Sequence, residues 1–190
     1  MRALQHRKRL RAERGGCGVI EIVHDGFRIY SRAVAKTPAI VRCEAAGVRC
    51  VAHEYSHEVN EVGFGLEAAQ KLQLDPDQVF KTLVTSVDGQ LTVAVVPVSG
   101  SLDLKALAVA AGGKKAELAD SALAERKTGY IVGGISPIGQ KTALPTFVDE
   151  TAQLYDTVFA SGGARGLDLE LAPDDLISLT DGQYAAIAKP

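Results

Sequence analysis

A lysine stands in the middle of the apolar run "VFKTLV", Val79–Val84, and is the first residue whose position suggests chemistry. Successive side chains of a strand point to opposite faces, so Lys81 shares its face with Val79 and Leu83. Such a lysine either blocks unwanted pairing at an edge strand or places an ammonium in a partly desolvated pocket. There it would bind an anion or polarise a carbonyl. The run alone does not decide between these two interpretations.

The segment "HEYSH", from His53 to His57, matches the HExxH pattern of zinc proteases. That chemistry needs a helix, which places both histidines on one face a turn apart. The preceding residues "VRCVAHEY" alternate as a strand, in which residues four apart are separated by about 13 Å. We therefore expect no zinc site here, and no other pattern implies a metal or an organic cofactor.

Three glycine-containing segments resemble anion-binding loops. "GFGLEAA" (63–69) fits GxGxxA, but the polar "HEVNEV" precedes it where a dinucleotide fold needs a buried strand. "GISPIGQKT" (134–142) fails as a phosphate loop because an extra glutamine precedes its lysine and Pro137 removes a backbone donor. "SGGARG" (161–166) is either a tight hairpin turn or a turn whose free amides hold an anion. No Ser-His-Asp or Cys-His spacing stands out.

The elements that must position these residues are predicted from hydrophobic period, capping residues and turn signals. Predicted helices cover residues 37–47, 66–74, 101–113, 120–129 and 172–180. Predicted strands cover residues 48–55, 79–86, 91–98, 146–150, 157–161 and 167–171, and a further strand begins at residue 130 and runs into a Gly/Pro loop. Helices mixed with hairpins predict an α+β domain and not a regular βαβ series.

The length of 190 residues, of which 46% are apolar, is sufficient for one domain with a substantial core. No apolar run is long enough to cross a membrane. The three cysteines, Cys17, Cys43 and Cys50, form no CxxC pair. This usage suits a reducing compartment, so we expect a cytoplasmic protein without a disulfide framework.

Charge is distributed unevenly along the chain. Residues 1–32 contain eight Lys/Arg and three Asp/Glu, a balance of +5, whereas the remainder contains 13 and 20, a balance of −7. We interpret residues 1–33 as a basic N-terminal extension, either a disordered tail, a basic arm, or an upstream stretch included through a misplaced start. Residues 34–190 are predicted to form one domain, whose acidic body is a poor autonomous ligand for nucleic acid.

Several segments, taken in order, resemble the YbaK/EbsC family of free-standing aminoacyl-tRNA deacylases, whose best-known members clear Cys-tRNA(Pro). The resemblance extends from Thr37 to the last predicted helix and rests on "KTPA", "HEYSHE", "FGLEAAQKL", "VFKTLV", "TGYIVGGISPIGQK" and "SGGARGLDLEL". It implies a twisted mixed β-sheet, partly barrel-like and flanked by helices, as in the editing domain associated with prolyl-tRNA synthetase. A pocket between the sheet and the glycine loops would receive the charged 3′ end of tRNA.

The resemblance also implies the residues of that pocket. Lys81 matches the family's essential lysine and would be the catalytic residue. The implied substrate-binding residues are Tyr55, Phe64, Thr82, Gly133, Gly134, Ile135, Ser136, Pro137, Ser161 and Asp168. We expect Lys81 to orient the ester, the amides of residues 133–136 to stabilise an oxyanion, Asp168 to hold the substrate amine and Ser161 to add a hydrogen bond.

The function implied is trans-editing, the hydrolysis of mischarged Cys-tRNA(Pro), with Cys-tRNA(Cys) as a second candidate substrate and with the thiol of the cysteine attacking its own ester. Prolyl-tRNA synthetase is the expected partner, because the acidic body should not grip tRNA alone. Two alternatives remain open from the sequence. One is a deacylase for Ala-tRNA(Pro) or another mischarged tRNA, which would need an activated water, and the other is a non-catalytic module that binds tRNA or synthetase.

Overall fold

The computed structural model describes residues 19–24, 27–32, 36–58 and 63–189. The chain divides into two compact units, residues 1–33 and 34–190. In the first unit, strands β1 (Val19–His24) and β2 (Phe27–Arg32) pair antiparallel, a hairpin that the sequence patterns do not predict. The other residues of 1–33 lie outside the described part, so the interpretation of this segment as an extension stays a prediction.

The second unit contains five helices and ten strands in the part of it that the structure describes. The helices are α1 (Pro38–Ala46), α2 (Phe64–Leu72), α3 (Leu104–Ala110), α4 (Ser121–Thr128) and α5 (Pro173–Thr180). The strands are β3 (Val51–Glu54), β4 (Val79–Val87), β5 (Gln90–Pro97), β6 (Ser101–Leu102), β7 (Ala116–Leu118), β8 (Thr146–Asp149), β9 (Val158–Ala164), β10 (Leu167–Leu171), β11 (Gln183–Ala185) and β12 (Ala188–Lys189). A 3₁₀-helix follows β8 at Glu150–Leu154.

One large mixed sheet organises this unit, with strand order β11-β8-β5-β4-β9-β10-β3, and β7 pairs with the far end of β4. The pairs β11·β8, β5·β8 and β4·β9 are parallel and the others are antiparallel. The α+β class with a mixed sheet is therefore confirmed. No helix among the described residues has the length and apolar character that a membrane span requires.

Capping residues explain where the helices begin and end. The hydroxyl of Thr37 accepts a hydrogen bond from the amide of Ile40 at 3.3 Å, Pro38 occupies the first turn, and Gly47 ends α1 with a φ of 67°. Asp103 and Asp120 cap α3 and α4 through their carboxylates. All five predicted helices are confirmed, with boundaries that differ by a few residues.

The hairpin of β4 and β5 forms as its turn signal predicts. Asp88 and Gly89 have φ values of 48° and 87°, as a type I′ turn requires at both central positions. Val87 then lies opposite Gln90, and this register runs on to Phe80 opposite Pro97. The two longest strands of the sheet are thus aligned by a two-residue turn.

The two faces of the sheet carry different cores. Helices α1 and α5 cover one face, where the largest fully buried side chains are Phe80, Ile138, Leu169, Leu171 and Leu176. Helices α2 and α3 cover the other face in two smaller clusters, one built around Val79 and Ala68 and the other around Val96 and Leu107. We call this second side the α2 face, and it carries the polar residues of interest.

A row of polar side chains crosses the α2 face. Val79 of β4 is paired with Phe159 of β9, so Lys81 and Ser161, each two residues further on, point to the same face. Ser161 lies opposite Asp168 of β10, which in turn lies opposite His53 of β3. The register of four strands therefore collects residues that lie more than 100 positions apart in the sequence.

The sheet leaves a gap along one edge of β4. Strand β9 pairs with this edge at Val79 and Phe80, and β7 pairs with it at Thr85–Val87. Between these two partners, residues 81–84 have no strand pairing on that side. A cavity is located at this gap.

Two sequence predictions about loops need correction. The strand predicted to begin at Tyr130 is wrong, because residues 130–145 are irregular. The buried Tyr130 hydroxyl donates to the carbonyl of Ile138 at 2.8 Å, and Gly133 and Gly139 adopt φ values of 87° and 68°, which fold the segment back on itself. The turn predicted at 161–166 is shorter than expected, since β9 continues to Ala164 and leaves two residues for the turn.

Candidate active site

The gap beside β4 opens into a cavity of about 440 Å³. Eight of the predicted site residues line it: Tyr55, Phe64, Lys81, Thr82, Gly133, Ile135, Ser161 and Asp168. Its apolar walls come from β4, α2 and α4, and include Val79, Leu83, Leu66, Ala68 and Ala124. Residues from seven separate segments thus converge on a space that is large enough for a small ligand.

Lys81 is half-buried in this cavity. Its ammonium donates a hydrogen bond to the carbonyl of Gly100 at 2.6 Å, and burial lowers its pKa from the ordinary value. Among the described residues no carboxylate forms an ion pair with it. The lysine is therefore oriented by one backbone acceptor and retains donors for a ligand.

Asp168 is 6% exposed, and burial raises its pKa to about 6. Its carboxylate accepts no hydrogen bond from the described residues, although Tyr55 is close enough for Asp168 to contribute, after burial, to the raised pKa of the tyrosine. Buried carboxylates normally have partners, so this carboxylate has capacity for a cationic or donor group of a ligand. Ser161, its neighbour across the strands, accepts from the amide of Gly163 at 3.3 Å.

Thr82 lies at the open edge of β4 and borders the cavity. Its Oγ1 is fully buried and has no hydrogen-bond partner among the described residues. Strand alternation points the Thr82 side chain to the face opposite that of Lys81, so its predicted contact with a substrate stays a prediction.

The loop from Ile131 to Gly134 forms a β-turn that borders the cavity. The amide of Gly134 donates to the carbonyl of Ile131 at 2.9 Å, and Gly133 has a φ of 87° while Val132 has no positive φ. This combination identifies a type II turn. A Cβ on Gly133 would lie 2.6 Å from the ring of Phe64, so only glycine fits beside that ring.

Three predicted site residues do not line the cavity. Gly134 packs against the backbone of Ala164 and Arg165, and Ser136 and Pro137 are buried behind the loop. The hydroxyl of Ser136 accepts from the amide of Ile138 at 3.2 Å. The structure thus places these three residues where they shape the loop, and their predicted contact with a substrate stays a prediction.

Two residues that the sequence analysis does not identify hold Val132 from opposite sides. Arg165 donates from Nε and Nη2 to the carbonyl of Val132 at 3.0 and 2.8 Å, and its guanidinium lies 5.2 Å from the centroid of the Phe64 ring. The carboxylate of Glu125 in α4 accepts from the amide of Val132 at 2.8 Å. The only signal in the sequence is an arginine inside a glycine-rich turn, which does not reveal its partner 33 residues away.

The two histidines of "HEYSH" bind different carboxylates. His53 lies in β3, as predicted, and its Nε2 is 2.8 Å from Glu170, while Nδ1 of His57 is 2.7 Å from the buried Glu67 of α2. Glu67 also accepts from the amide of Glu58 at 2.7 Å, which ties the segment after β3 to α2. Within the described residues, no three His, Cys, Asp or Glu side chains are grouped so as to hold a metal ion.

The arrangement combines an ammonium, a separate buried carboxyl group and backbone amides without a protein acceptor. Among the described residues, neither Gly133 nor Ile135 donates its amide to another protein group, and both border the cavity. None of the described lining residues is a cysteine or a histidine. The cavity has groups that can bind a zwitterionic or ester-like ligand and stabilise a developing oxyanion, without the histidine of a Ser-His or Cys-His pair.

Comparison with known proteins gives consistent results. The family model of the aminoacyl-tRNA editing domain matches residues 65–179. A protein of Enterococcus faecalis, EbsC, is named as a Cys-tRNA(Pro)/Cys-tRNA(Cys) deacylase. It is 45% identical to this chain over 138 residues, which are 70% of this chain and 83% of that protein.

Solved structures resemble the chain as well. A crystal structure described as that of a trans-editing enzyme for prolyl tRNA synthetase has a TM-score of 0.73 and 25% identity, and covers 84% of this chain and 100% of that chain. The crystal structure of hypothetical protein APE2540 has a TM-score of 0.72 at 23% identity, covers 80% of this chain and 100% of that chain, and supports the fold alone.

Proposed function

The chain belongs to the aminoacyl-tRNA editing domain family, and on that premise we propose that it hydrolyses the ester of mischarged Cys-tRNA(Pro). The name of the Enterococcus faecalis relative supports cysteine as the amino acid and admits Cys-tRNA(Cys) as a second substrate. We assign this activity to residues 34–190, which form the second compact unit.

One observation carries the proposal: the cavity holds opposite charges that do not neutralise each other. The Lys81 ammonium is hydrogen-bonded to the Gly100 carbonyl and forms no ion pair with Asp168, whose pKa is raised by burial. An aminoacyl ester presents a cationic amine and an electronegative carbonyl oxygen. Asp168 would receive the amine, and Lys81 together with the Gly133 amide would face the carbonyl oxygen.

The described cavity wall contains no cysteine or histidine, which fits a substrate that supplies its own nucleophile. The thiol of the esterified cysteine attacks the ester carbonyl, a carbon–sulfur bond forms, and the bond to the ribose oxygen breaks. The thiol proton ends on the released ribose oxygen, and water then opens the thiolactone to free cysteine. Lys81 and the Gly133 amide would stabilise the negative charge on the carbonyl oxygen during the first step.

A separate editing site has a physical reason in this system. Cysteine and proline differ little in size, and a pocket distinguishes ligands that differ by about one methylene by only ~1–3 kcal/mol. A synthetase that binds proline therefore cannot strongly reject cysteine, and a second site that requires a thiol removes the error. We propose that prolyl-tRNA synthetase is the partner that presents the tRNA.

The test is deacylation of Cys-tRNA(Pro) and Ala-tRNA(Pro) by the purified full-length chain, each with and without prolyl-tRNA synthetase. We expect rapid loss of cysteine and slow loss of alanine. Comparable loss of both would favour the alternative of a broader deacylase that activates water. Loss of neither ester, with the synthetase present, would favour a non-catalytic binding module.

A further inference from the structure

Arg165 joins three elements at the mouth of the cavity. It lies in the turn between β9 and β10, donates twice to the Val132 carbonyl, and covers the ring of Phe64 in α2. We propose that Arg165 is a positioning residue that fixes the peptide between Val132 and Gly133, so that the Gly133 amide points into the cavity. This inference rests on the proposed function, because it assigns that amide to the oxyanion of the ester.

The β-turn at residues 131–134 has two possible orientations of its central peptide. Types I and II share the hydrogen bond from the fourth residue to the first, here from Gly134 to Ile131, and differ by a flip of the central peptide. In type I the third residue has a φ of about −90°, whereas Gly133 has a φ of 87°. The orientation of the Val132–Gly133 peptide is thus a choice between two conformations of one turn.

Arg165 favours one of these conformations. Both of its donors meet the Val132 oxygen in a fork, at 3.0 and 2.8 Å, and a flipped peptide would point that oxygen away from them. The Val132 amide is held separately by Glu125 at 2.8 Å, so the residue is restrained on both of its peptides. The turn therefore depends on side chains from two other elements.

The orientation of the carbonyl determines that of the next amide. In a trans peptide the C=O and N–H groups point in opposite directions. Arg165 is exposed and does not line the cavity, whereas Gly133 does, so an oxygen held toward Arg165 sends the Gly133 N–H to the cavity side. This amide donates to no described residue, which leaves it available to an oxyanion.

The ring of Phe64 packs against Gly133 and restricts the turn sterically. The φ of Gly133 favours glycine, and its missing Cβ leaves the space that the Phe64 ring occupies. The guanidinium of Arg165 in turn contacts the same ring, at 5.2 Å from its centroid. The ring, the fork and the glycine therefore support a single arrangement of the loop.

The conformational test is nuclear magnetic resonance of the full-length chain without substrate. A type II turn brings the Hα of Val132 next to the Gly133 amide hydrogen, whereas a type I turn brings the amide hydrogens of Val132 and Gly133 together. We expect the first nuclear Overhauser effect in the wild type and the second to appear in Arg165→Met. An unchanged pattern in Arg165→Met would overturn the proposal, whatever the activity of the protein.

The kinetic test separates positioning from electrostatic attraction to tRNA. Removal of one oxyanion donor costs about 10²–10³ in kcat, and partial disorder of the donor should cost about 10- to 100-fold in Arg165→Met with KM changed less than about twofold. Arg165→Lys keeps the charge without the fork and should recover kcat only in part. A rise in KM at unchanged kcat, restored by Arg165→Lys, would overturn the proposal in favour of phosphate binding.

Arg49→Met is the matched control, because Arg49 is exposed and bonds to no described residue. It should leave the nuclear Overhauser pattern and kcat at wild-type values. If the wild type deacylates no cysteinyl ester, the proposed function fails, and the nuclear Overhauser measurement still decides whether Arg165 sets the turn.

Discussion

At the scale of single residues, the cavity is notable for charges that it keeps apart. Lys81 and Asp168 share the α2 face, yet the ammonium is bound to a backbone carbonyl and the carboxyl has no described hydrogen-bond donor. Burial disfavours the charged form of both groups. It therefore lowers the pKa of Lys81 and raises the pKa of Asp168. Lys81 is thus available to an electronegative oxygen of a ligand, and Asp168 is available to a cationic amine.

The raised pKa of Asp168 predicts a pH dependence that Asp168→Asn should remove. Below a pH of about 6 the carboxyl group is protonated and cannot pair with a substrate ammonium, and above it the carboxylate can. The ratio of kcat/KM for wild type to that for Asp168→Asn should therefore increase as pH rises through 6. It should reach roughly 10- to 100-fold near neutral pH, as expected for a hydrogen bond to a charged group.

Taking the ratio cancels the ionisation of the substrate thiol, which affects both proteins equally. A ratio that stays constant between pH 5 and pH 7 would remove the amine-binding role of Asp168. A thermal unfolding measurement at each pH distinguishes loss of function from loss of structure.

At the scale of elements, α2 approaches β4 closely enough to form one wall of the cavity. Gly65 permits this approach, since a Cβ there would overlap a methyl group of Val98 and lie 3.7 Å from the Cβ of Lys81. The helix places Phe64, Leu66 and Ala68 along the cavity while Ala68 and Ala69 pack with Val79. The spacing between α2 and the sheet thus determines the shape of the site.

Gly65→Ala tests this close approach. Alanine would improve helix propensity by roughly 1 kcal/mol, but overpacking against the buried Val98 should cost about 1–3 kcal/mol and displace the helix. We expect a net loss of unfolding free energy in denaturant titrations and a lower deacylation rate. The double variant Gly65→Ala/Val98→Ala, which removes the clashing methyl groups, should recover part of both, and failure of this rescue would contradict the packing argument.

Local patterns in the sequence predicted the elements that depend on local interactions. Thr37, Pro38 and Gly47 marked α1, and the Asp88-Gly89 pair marked the β4–β5 hairpin, because caps and turns act on their own neighbours. The short strands β6, β7, β11 and β12 were missed, since two or three residues have no period and owe their conformation to their partners.

The candidate site was predicted unevenly for the same reason. Its residue types were accessible through the family resemblance, and eight of the eleven predicted residues line one cavity. The conformation of the 130–139 loop was not accessible, because it depends on bonds from Arg165 and Glu125 that bring distant segments together. Non-local contacts of this kind leave no periodic signal in the sequence.

At the scale of the whole molecule, charge is distributed unevenly between the N-terminal segment and the rest of the chain. Residues 1–32 have a balance of +5 and the remainder a balance of −7. Contacts with phosphates supply most non-specific affinity for nucleic acid, so an acidic domain should bind free tRNA weakly. We therefore propose that a partner binds the tRNA body and that the cavity receives only the charged 3′ end.

Titration of uncharged tRNA(Pro) against the full-length chain and a variant beginning at Val34 tests this division. The variant should bind more weakly, with almost no salt dependence, because it lacks the basic segment. Addition of prolyl-tRNA synthetase should restore the deacylation of Cys-tRNA(Pro) by the variant. Tight, salt-sensitive binding of free tRNA by the variant would contradict the need for a partner.

We propose above all that catalysis in the Lys81 cavity uses the thiol of the substrate. The most direct measurement compares the deacylation rates of Cys-tRNA(Pro) and S-methyl-Cys-tRNA(Pro), each with wild type and with Lys81→Ala. We expect rapid loss of the cysteinyl ester alone, reduced to the uncatalysed rate by Lys81→Ala. Equal loss of both esters by the wild type would contradict it, because the protein would then activate water and not depend on the thiol.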